Sequence, residues 1–302
     1  MNSCVLNYLI RSQLNLCDLC VKFQYSIRNM KTISPKELTN LQLQTLLQTA
    51  IAPRPIALAS TIDEDGNINL SPFSFFNLFS SNPPIAIFSP SRRVRDNTTK
   101  HTLENVLKVP QVVIGIVNYS IVQQISLAST EYEKDINEFV KSGLTMKNAD
   151  MVEPKLIEEC PVNLECKVLE VKALGTEGGA GNLVICEIIK IHVREEYLNE
   201  EGNLDQMKLD LVARLGGNWY SRNNEKNLFE VPKPLVTKGI GFDLLPDEIK
   251  YSTIFTGNDL GMLANVEELP AGNFSADEII HQEAQKLLAG NKISEAWDIL
   301  LK

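Results

Sequence analysis

Between residues 33 and 50, Leu38, Leu41, Leu43, Leu46 and Leu47 recur with helical spacing, and Pro35 stands near the start, where its missing N–H costs little. The next stretch, IAPRPIALAST, holds two prolines that exclude a helix, and its apolar run at 56–62 predicts a strand. DEDGN at 63–67 reads as a turn, with Gly66 free to adopt positive φ. A second extended segment is predicted at 69–76. Pro83-Pro84 then interrupts the chain, a third strand follows at 85–89 and another at 111–118, and a helix is expected over 119–128.

Two long extended runs, 162–174 and 183–193, flank the link GTEGGAGN. No helix follows those glycines, so the link reads as a hairpin-type loop and not as a phosphate loop. In the second run Leu183, Ile185, Ile189, Ile191 and Val193 share one face, and Val184, Cys186, Ile188 and His192 share the other. Both faces are therefore expected to be buried. After Tyr220 the character changes. Residues 221–274 are rich in Pro, Gly and Asn and are expected to wrap the core as a long irregular tail. Two helices, 275–289 and 292–301, close the chain, with Ser275 as N-cap, Glu278 completing a capping box and Gly290 between the helices. A short helix, many strands and a tail predict a mainly β fold, a small barrel with peripheral helices.

Composition narrows the function. The sequence has 302 residues, and at about 150 residues per domain that length corresponds to roughly two units. Its formal charge is 29 − 38 = −9, which argues against nucleic acid or an anionic membrane surface as the main partner. No run approaches the ~20 apolar residues that span a bilayer. Cysteines stand at 4, 17, 20, 160, 166 and 186, too sparse for a disulfide scaffold, and the set fits a reducing cytoplasm. Cys17 and Cys20 form a lone CxxC without a second pair at zinc-ribbon spacing, and the pairing is read as incidental. Arg11 breaks a short apolar patch in residues 1–29, and no cleavage site follows. We expect 1–29 to be an extension outside the fold, with Met30 as the natural start; an extra helix is the alternative.

The chemistry concentrates between Arg54 and Asn105. NLSPFSFF offers the hydroxyls of Ser71 and Ser74, the rings of Phe73, Phe75 and Phe76, and backbone that Pro72 keeps from regular pairing, a strand suited to a planar heterocycle. Residues 91–101 carry Arg92, Arg93, Arg95 and Lys100 against Asp96, a local charge of +3 in an acidic chain. With Ser89, Ser91, Thr98, Thr99 and Thr102 interleaved, this segment suits a phosphate. A solvated basic loop is the plain alternative.

The order RPIALAST, NLSPFSFFN, NPPI, FSP and KHTLENV, then EYEKDINEFVKSGLT, PVNLECKVLEV, NLVICEIIKIHV and ARLGGNWY, resembles the flavin reductase-like family of FMN-binding split barrels, flavoredoxin among them. The resemblance covers about residues 30–225, and 226–302 form an irregular, partly helical tail outside it. His101 stands where many members carry aspartate. The resemblance implies an FMN whose phosphate sits among Ser89, Ser91, Arg92, Lys100 and Thr102. Its ring would lie along Asn69, Leu70, Ser71, Pro72, Phe73, Ser74 and Phe75, with Arg54 and Thr61 nearby. It also implies a homodimer with flavin at the interface. His192 matches a family position facing the flavin and is the candidate catalytic residue; a satisfied core histidine is the other reading. Arg214 and Tyr220, flanking LGGNW, are candidates to close the ring side, unless LGGNW is a tight turn with Trp219 in the core. The activity implied is hydride transfer from NAD(P)H to flavin and on to an unknown acceptor. The rival is a flavin-binding electron carrier or flavin donor without turnover of its own. No GxGxxG opens a helix, so NAD(P)H is expected to dock transiently on the flavin.

Overall fold

The structure, a computed structural model, describes residues 30–133, 136–235 and 237–301. Residues 1–29, with Cys4, Cys17 and Cys20, lie outside the described part. The leucine-rich stretch divides into one 3-10 turn, Pro35–Glu37, and helix α1, Asn40–Ala50. Thr39 caps α1 through the Gln42 N–H, and the Gln42 side chain reaches back to Thr39. Its leucines do not form a core face: α1 buries no residue, and Leu43 and Leu47 line a cavity.

Residues Ile33–Phe229 form one compact unit built on a seven-stranded antiparallel sheet. Strands β1 (Ala57–Ile62), β2 (Ile68–Phe73), β3 (Phe76–Ser81) and β4 (Pro84–Phe88) come first. Helix α2 (His101–Lys108) and β5 (Gln111–Ile116) follow, then α3 (Val122–Ala128) and α4 (Glu138–Ser142). A short pair, β6 (Met146–Lys147) and β7 (Leu156–Ile157), precedes the long hairpin β8 (Val162–Ala173) and β9 (Asn182–Val193). Helix α5 (Gln206–Leu209) leads into the hairpin β10 (Val212–Arg214) and β11 (Tyr220–Arg222).

The main sheet runs β2-β1-β5-β8-β9-β4-β3. The single strand expected at 69–76 is divided: Ser74 and Phe75 separate β2 from β3, and these two strands take opposite edges of the sheet. A two-residue link between the two edges forces the sheet to curl until they approach. Among the described residues no ladder joins β2 to β3, so the barrel is split and not closed. Alternation along the strands then sorts side chains into two cores. Leu58 and Val113 enter one, with Ile121, Ile125 and Phe139 from the helical side. Ala57, Ala59, Val112 and Ile114 enter the other, with Phe73, Phe88, Cys166, Val184 and Cys186. Cys166 and Cys186 thus serve as small hydrophobes, and burial pushes the Cys166 thiol up to about 12. Gly115 lets β5 pass Cys160, whose Sγ would lie 2.6 Å from an added Cβ.

The expectation that both faces of β9 are buried is corrected. Val184 and Cys186 are sealed, whereas Ile189 and Ile191 are 41% and 58% exposed. The two closing helices appear close to their expected limits, but the irregular wrap expected at 221–274 is corrected. Residues from Glu230 onward belong to a second compact unit with its own core, in which Ile249, Leu260, Leu263, Leu288, Trp297 and Leu300 are buried. Its helices are α6 (Asp247–Lys250), α7 (Gly257–Leu263), α8 (Glu278–Ala289) and α9 (Ile293–Leu300). The N-cap of α8 is Asp277, not Ser275; the Ser275 Oγ instead accepts from the Asp277 N–H. No described helix is long and apolar enough to cross a membrane.

Candidate functional site

Lys100 is the N-cap of α2 and offers no side-chain cap bond, so its ammonium is free to reach over the Phe73 ring, 5.6 Å away. It is half-buried and makes no ion pair among the described residues. Burial, then repulsion from Arg93, pushes its pKa below the ordinary lysine value. Around it Asn69, Ser71, Arg93, His101 and Thr102 line a small cavity closed by residues 129–132 and Glu138. The lining thus sets two cations, Lys100 and Arg93, beside two carboxylates, Glu131 and Glu138; Arg93 is paired with Glu131, which leaves Lys100 as the cation without an ion pair among the described residues.

Beneath it lies a buried polar network. The Asn69 amide donates to Thr102 Oγ1 at 2.9 Å and to Thr61 Oγ1 at 3.4 Å, and Asn105 donates to Thr61 at 3.1 Å. Thr61 thereby positions Asn69 and does not line the cavity. Glu138 accepts the Leu70 N–H at 3.0 Å, and burial raises its carboxyl above the ordinary value despite that bond. Leu70 itself is sealed in the first core.

A larger cavity of about 730 Å³ lies between α1, Phe75 and the link after β8. Arg54 and Ser91 line it, with Val94 and residues 175–180. Arg54 is fixed from below: Nη1 donates to the Gln48 and Ile51 carbonyls and Nη2 to that of Leu215, while the buried Nε has no partner. Phe75, 41% exposed, sits 6.0 Å from this guanidinium. The glycine-rich link is a wall of this cavity. At Gly178 an added Cβ would come within 3.0 Å of the Arg93 carbonyl, so the link packs flush against the basic loop.

The family model described as "Flavin reductase like domain" matches residues 49–209. The chain belongs to the flavin reductase-like family. An uncharacterized protein of Aquifex aeolicus is 34% identical over 185 residues, covering 61% of this chain and 92% of that one. Among solved structures, nitrilotriacetate monooxygenase component B from Bacillus cereus is 27% identical with a TM-score of 0.63, covering 68% of this chain and all 100% of that one. A split-barrel protein of Shewanella frigidimarina, assigned as a flavin reductase, is 26% identical with a TM-score of 0.57 over 68% and 100% of the two chains.

The two cavities differ in lining: Lys100 marks the small one and Phe75 the large one. Of the expected residues, Asn69, Ser71, Lys100 and Thr102 gather at the small cavity, and Arg54, Phe75 and Ser91 at the large one. Pro72 and Ser74 are half-buried along the connecting strand, and Phe73 is buried under Lys100. The five expected phosphate ligands do not line one cavity. Ser89 is buried, its Oγ without a partner and 2.7 Å from where a Cβ on Gly181 would lie. The Arg92 guanidinium is spent on Asn97, Nε to Oδ1 at 2.6 Å and Nη2 to the carbonyl at 2.5 Å, so it braces the loop. Arg93 lines the cavity instead, its guanidinium bonded to Glu131, Thr98 Oγ1 and the Thr99 carbonyl. Sequence reading counted Arg93 only toward the charge of the loop and missed Asn105, Glu131 and Glu138. Glu131 bonds both Arg93 and Arg95 and so trims the +3 charge of the loop.

His192 lines neither cavity. In the register β9 pairs it with Asn163, and its Nε2 lies 2.5 Å from the Glu165 carboxylate. Burial alone would raise the Glu165 carboxyl, but the Asp150 N–H, His192 and the Met151 N–H outweigh it and hold the group below its ordinary value of 4.5. Asp150, which also converges here, is held by Lys190, so each carboxylate already has its donors. Because its pKa is depressed, Glu165 contributes stability that is present above pH 4.5 and lost as pH falls through its lower folded value. Glu165→Gln should therefore cost about 1.5–3 kcal/mol at pH 7. Urea unfolding at pH 7 and pH 3.5 should show the gap between variant and parent narrowing in acid.

Proposed function

We propose that this protein binds FMN and catalyses hydride transfer from NAD(P)H to the flavin. The observation that carries the reading is Lys100: a desolvated ammonium, unpaired among the described residues, beside Thr102, Ser71 and the start of α2. Such a cation needs an anion, and the ester phosphate of FMN supplies one. The orphaned Ser89 Oγ and Arg54 Nε are further polar atoms that a bound ligand or water would satisfy. FMN, when bound, supplies the redox chemistry. The chain's own residues bind and orient it: Lys100 by charge, the Thr61–Asn69–Thr102 network by fixing β2 against α2, and Phe75 with Arg54 by walling the ring end.

The same reading includes a homodimer in the cytoplasm. Leu78 and Phe79 on edge strand β3 are 60% and 64% exposed, and Ile189 and Ile191 extend the apolar surface on β9. A second copy would cover such an edge. Steady-state NADH and NADPH oxidation, with and without added FMN, tests the activity. Turnover without added flavin is expected. A flavin-loaded protein that oxidises neither nucleotide would make it an electron carrier or flavin donor.

A further inference from the structure

A polar cavity of about 520 Å³ lies where hairpin β10–β11 meets α3, bordering the Lys100 cavity at Ser129. Tyr119, Gln123, Ser126, Arg214, Tyr220 and Arg222 mark its walls, over the apolar side chains of Val122 and Val212. No carboxylate is among its lining residues. Its two arginines differ in charge balance. Arg222 holds Asp210 by two bonds of 2.7 Å and stacks 3.6 Å over Tyr119, so it is neutralised in place. Arg214 stacks 4.7 Å over Tyr220 and donates one long bond, 3.3 Å, to the Trp219 carbonyl. Among the described residues it has no ion pair. Its charge also reaches Arg54, whose pKa is lowered first by burial and then by this repulsion.

One uncompensated guanidinium asks for one negative charge, and its planar fork matches a carboxylate better than a compact anion. A phosphate dianion would want a second free cation, and Arg222 is already spent. The tyrosine rings and the valine floor suit a flat apolar body, and the hydroxyl and amide groups suit polar substituents on it. We propose that this cavity is a binding site for a small aromatic monocarboxylate, held through Arg214 and distinct from the flavin cavities. This inference does not rest on the flavin reading.

The test is calorimetric titration of the full chain with benzoate, benzamide and inorganic phosphate. Trp219 offers a second readout, because it is 75% exposed beside Arg214 whereas Trp297 is buried in the other unit. Saturable benzoate binding is expected, with benzamide at least about 10-fold weaker and phosphate unable to displace benzoate at equal concentration. Arg214→Gln should weaken benzoate at least about 10-fold, and Arg214→Lys should restore part of the loss. Absence of benzoate binding at millimolar concentration, equal affinity for benzamide, equal competition by phosphate, or unaltered affinity in Arg214→Gln would each overturn the proposal. If Arg214→Gln does not fold, the comparison of three ligands on the parent protein decides alone. A protein that binds benzoate but no FMN would keep this site and remove the flavin reading.

Discussion

Lys100→Ala is expected to weaken FMN binding by about 1.5–3 kcal/mol, roughly 10- to 150-fold, and to leave riboflavin affinity unchanged. The side chain has no anion to hold in the free protein, so the mutant should unfold at the same denaturant concentration as the parent, or higher. That combination separates a ligand-binding cation from a structural one. The pH dependence follows. Burial and Arg93 lower the Lys100 pKa, so the ammonium is lost at a pH below the ordinary 10.5. FMN affinity should fall on that alkaline limb in the parent and stay flat in Lys100→Ala. Arg92→Ala should act differently. Its guanidinium braces the loop through Asn97, so its loss should lower affinity through loop disorder and alter riboflavin and FMN alike. Titration of both flavins by fluorescence quenching distinguishes these outcomes.

Phe88→Ala is expected to lower the unfolding free energy of the sheet unit by about 3–5 kcal/mol. Phe88 is fully buried at the end of β4, and its ring centroid lies 5.3 Å from that of Phe73. Phe73 in turn floors the Lys100 ammonium. The cavity left by truncation would undercut that floor, so FMN affinity should drop along with stability, whereas Phe75→Ala, at an exposed position, should lower affinity while changing stability by less than about 0.5 kcal/mol. Urea unfolding beside flavin titration reads both quantities.

Much of the fold was legible because alternation is a local signal. The strands at 56–62, 111–118, 162–174 and 183–193 appear within a few residues of their expected limits. The break at Ser74 and Phe75 was not legible, since it depends on the sheet curling until its edges approach. The second unit was missed for a related reason: Leu245, Ile249 and Phe255 are scattered among prolines and glycines, and only tertiary packing joins them to α8 and α9. At the site, two of the five expected phosphate ligands, Lys100 and Thr102, line one cavity, beside Asn69 and Ser71, which were expected along the flavin ring. Composition did not separate Arg92 from Arg93, because strand and loop geometry alone decides which of two adjacent arginines faces the cavity. Glu131 lies far along the chain from the basic loop it neutralises, and no spacing rule links the two. Trp219, weighed as a core residue, is exposed, since the LGGNW turn carries it outward.

The central claim is that the cation at Lys100 exists to hold the phosphate of FMN. Anaerobic titration of the flavin-stripped full-length protein with FMN and with riboflavin tests it most directly. The account predicts stoichiometric FMN binding, at least about 10-fold tighter than riboflavin, that turns to parity in Lys100→Ala. Equal affinity for the two flavins in the parent protein, or no flavin binding at all, would contradict it.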